Sequence, residues 1–131
     1  MNNLTKEEIV YLYALVEISK MGLISNNYTF YDDYAEGSIC LNKNNNIWQV
    51  YLCERENKYE FSIFNDLKDA CMKTIWYCSY DKIEMETAIE CFLMEVTKGY
   101  LLSDEEISEF KNKYLNDLCN YSKKKIKENK Y

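Results

Sequence analysis

The sequence predicts an α+β domain, and three observations carry that prediction. Apolar residues recur at three- and four-residue steps near the start of the chain and again beyond residue 66, while between these stretches the period falls towards two. The runs with the shorter period are rich in aromatic and β-branched residues, and they are grouped together rather than alternating with helices. Finally, 131 residues that are 47% apolar make one domain's worth of chain, enough to bury roughly two thirds of the surface exposed on unfolding. The expected architecture is an N-terminal helix, an antiparallel β-meander of about four strands, and C-terminal helices including an αα-hairpin. All of residues 1–131 belong to this single domain, with 81–131 as its helical end.

The elements follow in chain order. Thr5 and Glu8 have the spacing of a capping box, so a helix starts here. Ile9, Leu12, Tyr13 and Val16 form its apolar stripe, Val10, Ala14 and Ile18 widen it, and Gly22 stops it, which gives a well-buried helix over residues 6–21. Residues 28–32 and 38–43 read as strands, with a turn over 33–37 between them and an Asn-rich turn over 42–46 after them. The strongest strand covers 47–56, with Trp48, Val50, Leu52 and Glu54 on one face and Ile47, Gln49, Tyr51, Cys53 and Arg55 on the other. After a polar reversal, a strand over 59–64 returns with Tyr59, Phe61 and Ile63 on one side. Short turns make these strands antiparallel neighbours.

Asn65 is the expected N-cap of a second helix that turns Leu67, Ala70, Cys71, Thr74 and Cys78 towards the sheet. Asp81 and Glu84 open a third, whose stripe of Met85, Ala88, Ile89, Phe92, Leu93 and Val96 is the most regular in the chain, and Gly99 breaks it. Ser103 and Glu106 repeat the capping-box spacing and open a last helix, in which Ile107, Phe110, Tyr114, Leu118 and Tyr121 pack back on the preceding one. Residues 123–131, five of them Lys, form a fraying tail.

Composition excludes much chemistry. There is no His, so Ser-His-Asp and Cys-His relays, zinc-finger spacings and imidazole acid–base catalysis are absent. No P-loop, nucleophile elbow, EF-hand loop or dinucleotide glycine motif occurs, and three Gly cannot build a phosphate-cradling loop. Paired acids such as Asp32-Asp33, or Glu54 facing another acid across the sheet, are candidates for general acid–base work or for holding Mg²⁺, without a motif to support them. Cys71 lies near a helix N-terminus, but Lys73 is its only basic neighbour. No catalytic role, cofactor or metal is expected. The six Cys include no C-x-x-C, and the chain start lacks the basic region and cleavage site of a secretion signal. They are read as reduced, buried thiols in a cytoplasmic protein. No run approaches the ~20 apolar residues of a membrane span.

Charge is unevenly spread. The net charge is −6, and residues 81–110 carry nine acids against two bases, whereas 111–131 carry two acids against seven bases. This sign disfavours nucleic acid as a partner. The acids over 81–110 read either as a solvated helix face, with Glu84, Glu86, Glu90 and Glu95 off the apolar stripe, or as a surface for a basic partner. Trp48 and Trp76 are expected in the core, and Tyr31, Tyr34 and Tyr51 on the surface. Arg55, the only Arg, either orders the hairpin through a salt bridge or anchors an interface.

The segment Ile47-Trp48-Gln49-Val50-Tyr51-Leu52-Cys53-Glu54-Arg55, followed by Phe64 and Ala70-Cys71, resembles the pattern W-x-V-Y-Y-x-E-R-G, turn, F-x-x-E-x-x-A-C of a family of small bacterial immunity proteins from polymorphic toxin systems. Leu12-Tyr13-Ala14-Leu15, Tyr28 and Ile39-Cys40-Leu41 extend the resemblance over about residues 9–78. Glu56 stands where the pattern has Gly, Leu52 where it has its second Tyr, and the acid before Ala-Cys is displaced. The resemblance implies a cytoplasmic, non-catalytic protein that binds and neutralises a cognate toxin domain. If that toxin is a nuclease, its basic active site suits an acidic inhibitor. The expected contact surface is Asp32, Asp33, Glu36, Tyr51, Glu54 and Arg55, because turns and strand ends project beyond a packed sheet. The alternative is a regulatory or scaffold adaptor that binds another cellular protein through the outer face of the helical hairpin. An edge strand leaves the oligomeric state open.

Overall fold

The computed structural model describes residues 4–30 and 36–115. Expectations for Tyr31, Asp32, Asp33, Tyr34, Leu118, Cys119, Tyr121, the Tyr114 side chain and the Lys-rich tail lie outside what it describes. The α+β class holds: helix α1 (Lys6–Lys20) is followed by strands β1 (Tyr28–Phe30), β2 (Ile39–Asn44), β3 (Ile47–Glu54) and β4 (Asn57–Phe64). Helices α2 (Leu67–Cys78), α3 (Lys82–Gly99) and α4 (Asp104–Phe110) come next, with a π-helical turn at Lys111–Leu115.

Helix α1 begins in the capping box: Thr5 Oγ1 accepts from the Glu8 N–H and the Glu8 carboxylate accepts from the Thr5 N–H. It ends at Gly22 (φ 77°), where Gly22 N–H donates to Ser19 O and Leu23 N–H to Ile18 O, the paired bonds of a left-handed helix stop. Its buried residues are Ile9, Val10, Leu12, Ala14, Leu15, Val16, Ile18 and Ser19. A helix buried over so much of its circumference must be covered from more than one side. Helix α3 packs along it, α2 lies beside it over the sheet, and Phe110 of α4 sets its ring edge-on against Tyr13. Within its described residues the last helix contacts α1 more than the helix before it, while the Tyr114 side chain, Leu118 and Tyr121 of its expected stripe lie outside what is described.

The sheet order is β1-β2-β3-β4, and it corrects the meander in one strand: β1 runs parallel to β2, with Tyr28 opposite Ile39 and Phe30 opposite Leu41. A two-residue turn would have forced antiparallel pairing. The connection over residues 31–38 is long enough to bring the chain back along a strand of only three residues, since eight residues reach roughly 26 Å extended. β2, β3 and β4 are antiparallel as expected. Asn45 (φ 58°) makes the first hairpin turn, which Asn tolerates, and Arg55 and Glu56 (φ 51° and 65°) make the second.

A bulge interrupts β4. Val50 pairs with Ser62 and Leu52 with Tyr59, so Tyr51 alone faces both Glu60 and Phe61, and Glu60 takes a positive φ of 53°. Tyr59, Phe61 and Ile63 therefore do not share one side. Ile63, opposite Gln49, and Phe61, stacked on Tyr51, lie on the face away from the helices, while Tyr59 is moved to the helix side opposite Leu52.

Trp48 and Val50 enter the main core beneath the helices, with Phe30 and Leu41. Trp76 corrects the expectation of a core Trp: it is 52% exposed, on the far side of α2 from Cys71, Ile75 and Cys78, and carries the Lys73 ammonium 4.1 Å from its ring centroid. The N-cap of α2 is Asp66, one residue beyond Asn65; its carboxylate accepts from the Asp69 N–H at 2.9 Å. Leu93 is exposed and Glu95 buried, each reversed from expectation, because the buried side of α3 centres on Ala88, Phe92, Val96 and Gly99. Glu95 accepts from Lys98 Nζ at 3.0 Å, and the Lys98 ammonium is held above its ordinary pKa by that bond.

Gly99, expected to break α3, lies within it as its last residue, with Tyr100 as the C-cap, and serves packing rather than backbone freedom. A Cβ there would meet Val10 Cγ1 at 2.6 Å and Tyr13 Cδ1 at 3.3 Å, so α1 and α3 approach closely because this residue has no side chain. Gly99→Ala is expected to lower stability by about 1–3 kcal/mol despite better helix propensity. Val10→Ala in the same chain should relieve the clash, and a double-mutant cycle in urea checks the coupling.

Candidate functional site

The predicted contact residues divide on folding. Glu36, Glu54 and Arg55 come together at one end of the sheet. Both oxygens of the Glu36 carboxylate accept from the Arg55 backbone N–H, at 2.8 and 2.7 Å, and Gly37 N–H donates to Cys53 O at 2.8 Å. These bonds tie the β3–β4 hairpin to the segment before β2. Arg55 and Glu56 both stand at positive φ, which non-glycine residues adopt at a cost of about 1–3 kcal/mol each, so the carboxylate clamp helps hold a conformation the sequence resists. Glu54, Arg55 and Glu56 are exposed. The clamp engages the backbone of Arg55 and not its guanidinium, which makes no ion pair among the described residues. The expected hairpin-ordering salt bridge of Arg55 is thus replaced by a main-chain bond.

Tyr51 does not belong to that surface. It is wholly buried on the sheet face away from the helices, in a small cluster with Cys40 and Cys53. Phe61 stacks on it at 5.3 Å, Lys58 Nζ lies 4.8 Å from its ring centroid, and Asn42 Nδ2 donates to its hydroxyl at 2.8 Å. The bulge at Glu60 is the reason, since it lets the Phe61 ring lie flat across Tyr51, and no alternation pattern foretells a bulge. Asp32 and Asp33 lie outside the described residues.

At the opposite end of the sheet is a cleft of about 340 Å³ lined by Thr5, Glu8, Lys43, Trp48, Asp66 and others. Glu8 is its centre. Oε1 accepts from the Thr5 N–H and from Lys43 Nζ, both at 3.0 Å, and Oε2 accepts from Trp48 Nε1 at 2.9 Å. Partial burial raises the pKa of this carboxyl, but the bonds from Thr5, Lys43 and Trp48 outweigh it and the net shift is downward. A carboxylate held ionised by three donors is a structural tie; it is not set to exchange protons at neutral pH. Sequence reading found only the capping half of this arrangement, because nothing in spacing links position 8 to positions 43 and 48.

The thiols agree with burial. Cys40, Cys53, Cys71 and Cys78 are buried and unbridged, and Cys91 is half-buried. Burial pushes the Cys71 thiol well up and the Cys78 thiol to about 11, away from the thiolate a nucleophile needs. Among the described residues, no three His, Cys, Asp or Glu side chains are grouped to hold a metal ion, and no helix is long and apolar enough to cross a membrane.

Comparison of the chain with known protein families, with curated proteins and with solved structures gives no match.

Glu8→Ala removes the capping bond from Thr5 and the two bonds that tie α1 to β2 and β3, and should cost about 2–3 kcal/mol. Because the folded pKa of Glu8 is lowered, its contribution is fully present above the unfolded value of about 4.3 and is lost as pH falls through the folded value. Chemical denaturation of Glu8→Gln and the parent chain between pH 7 and pH 2 should therefore show a stability gap that closes on acidification; a gap constant with pH would mean that charge plays no part.

Proposed function

We propose that this protein is an immunity protein that binds a cognate bacterial toxin domain in the cytoplasm and neutralises it by direct contact, without catalysis. The Trp48 to Arg55 segment and its resemblance to the Trp, Glu-Arg and Ala-Cys pattern of such proteins motivate the reading. One observation carries it to a surface: the Glu36 clamp on the Arg55 backbone sets Glu54, Arg55 and Glu56 at an exposed, ordered hairpin tip. A pre-ordered tip loses little entropy on binding. Its acids favour a basic partner, and Arg55 has its guanidinium available as a contact residue.

Co-purification from the native bacterium with mass spectrometry tests the reading. One stoichiometric fragment of a large secreted protein is the expected result, and recovery of nothing or of a housekeeping complex would overturn it. With that fragment in hand, the double substitution Glu54→Lys/Glu56→Lys should weaken binding by about 10- to 100-fold, or ~1.4–2.8 kcal/mol. The loss should shrink in high salt. An affinity indifferent both to this change and to salt would remove the hairpin tip from the interface.

A further inference from the structure

We infer that the outer face of α3 is a docking surface for an amphipathic helix of another protein, one with apolar residues at heptad spacing and Lys or Arg on its flanks. This inference stands apart from the hairpin tip and does not rest on the immunity reading.

Helix α3 carries large apolar side chains on two sides, and the fold buries one of them. At 100° per residue, Ala88, Phe92, Val96 and Gly99 fall on one side and pack against α1 and the core. Directly opposite, Ile83, Thr87, Glu90, Met94 and Thr97 follow steps of four, three, four and three, the spacing of a heptad seam about 21 Å long. All five are exposed, with Ile83 at 76% and Met94 at 61%. Leu93, also exposed, lies beside the seam. The Thr87 and Thr97 hydroxyls donate to the helix's own carbonyls at Ile83 and Leu93, so these donors are already satisfied along the seam. A solvated helix face has no use for two large apolar side chains at this repeat. The sequence pattern marked this outer face by its acids and not by its apolar repeat.

Charge selects the occupant. Asp81, at the N-cap of α3, and Glu84, Glu86 and Glu90 within it are exposed. Against them stand Lys82 and Lys98, and Lys98 is already paired with Glu95. A second copy of this chain fits poorly, because antiparallel pairing centred on the seam sets Glu90 against its own equivalent and parallel pairing aligns every acid with its like. A helix flanked by cations meets the apolar seam and the acids together.

The test uses synthetic helices of about three heptads with Leu at the seam: one flanked by Lys, one flanked by Glu, and one with the Lys peptide's composition scrambled. Fluorescence anisotropy against the whole protein should show the Lys-flanked helix binding at least about tenfold more tightly than either of the others. Ile83→Ser with Met94→Ser should weaken that binding about tenfold. Glu86→Gln with Glu90→Gln should weaken it and flatten its salt dependence. Unaltered melting temperatures show that these exposed changes spare the fold. Equal binding of the scrambled peptide, or indifference to the Ser pair, would overturn the inference by reducing it to general charge attraction. A concentration-dependent dimer in sedimentation that the Ser pair abolishes would overturn it in favour of a second copy. No toxin enters this assay, so failure of the immunity reading and failure of the α3 surface are read separately.

Discussion

The Glu8 carboxylate joins the central helix to two strands of the sheet. It closes the capping box of α1, holds Lys43 of β2 and takes the indole N–H of Trp48 of β3. One side chain thereby fixes where the central helix begins and how the sheet lies against it. Buried charges are costly unless well bonded, and this one is offset by three donors from three elements. Its placement sets the rest: with α1 pinned by its first turn, its apolar faces are presented to the sheet, to α2 and to α3 and α4 at once. At the other end of α1, the Tyr28 hydroxyl, hydrogen-bonded to Ser19, ties the helix to β1.

The close contact of α1 with α3 has a second determinant. Gly99 permits an approach that any side chain would block, and the inner stripe of α3 is spent on it. Turning that stripe inward exposes the opposite one. The same geometry that completes the core thus presents Ile83 and Met94 to solvent among acids, on the side where the inferred partner helix would rest. The hairpin tip arises differently, from a carboxylate holding a turn that its own residues disfavour. The two surfaces belong to different parts of the fold and differ in character, one polar and projecting, the other apolar and linear.

Much of the fold was legible because it rests on local chemistry. Capping residues, the period of apolar positions and Asn-rich turns act within a few residues of themselves, and they placed α1, β2, β3, the starts of α3 and α4 and the antiparallel pairings of β2 with β3 and β3 with β4 near where they are observed. Trp48 was legible as core for the same reason. The hairpin-tip residues Glu36, Glu54 and Arg55 were legible as projecting, although the bond that assembles them was not.

What the tertiary structure alone decided are matters of distance across the chain. The parallel run of β1 depends on its pairing with β2, and the bulge at Glu60 on how β4 meets β3; neither is written in composition. Tyr51 became core and Trp76 surface because exposure belongs to what lies opposite, which a periodic pattern does not specify. The Glu8 tie and the Gly99 approach join positions tens of residues apart, and only packing brings such positions together. Sequence determined the elements and their inner faces, because those follow from interactions along one helix or strand; the partners of those faces, and the faces left without partners, follow from the three-dimensional arrangement.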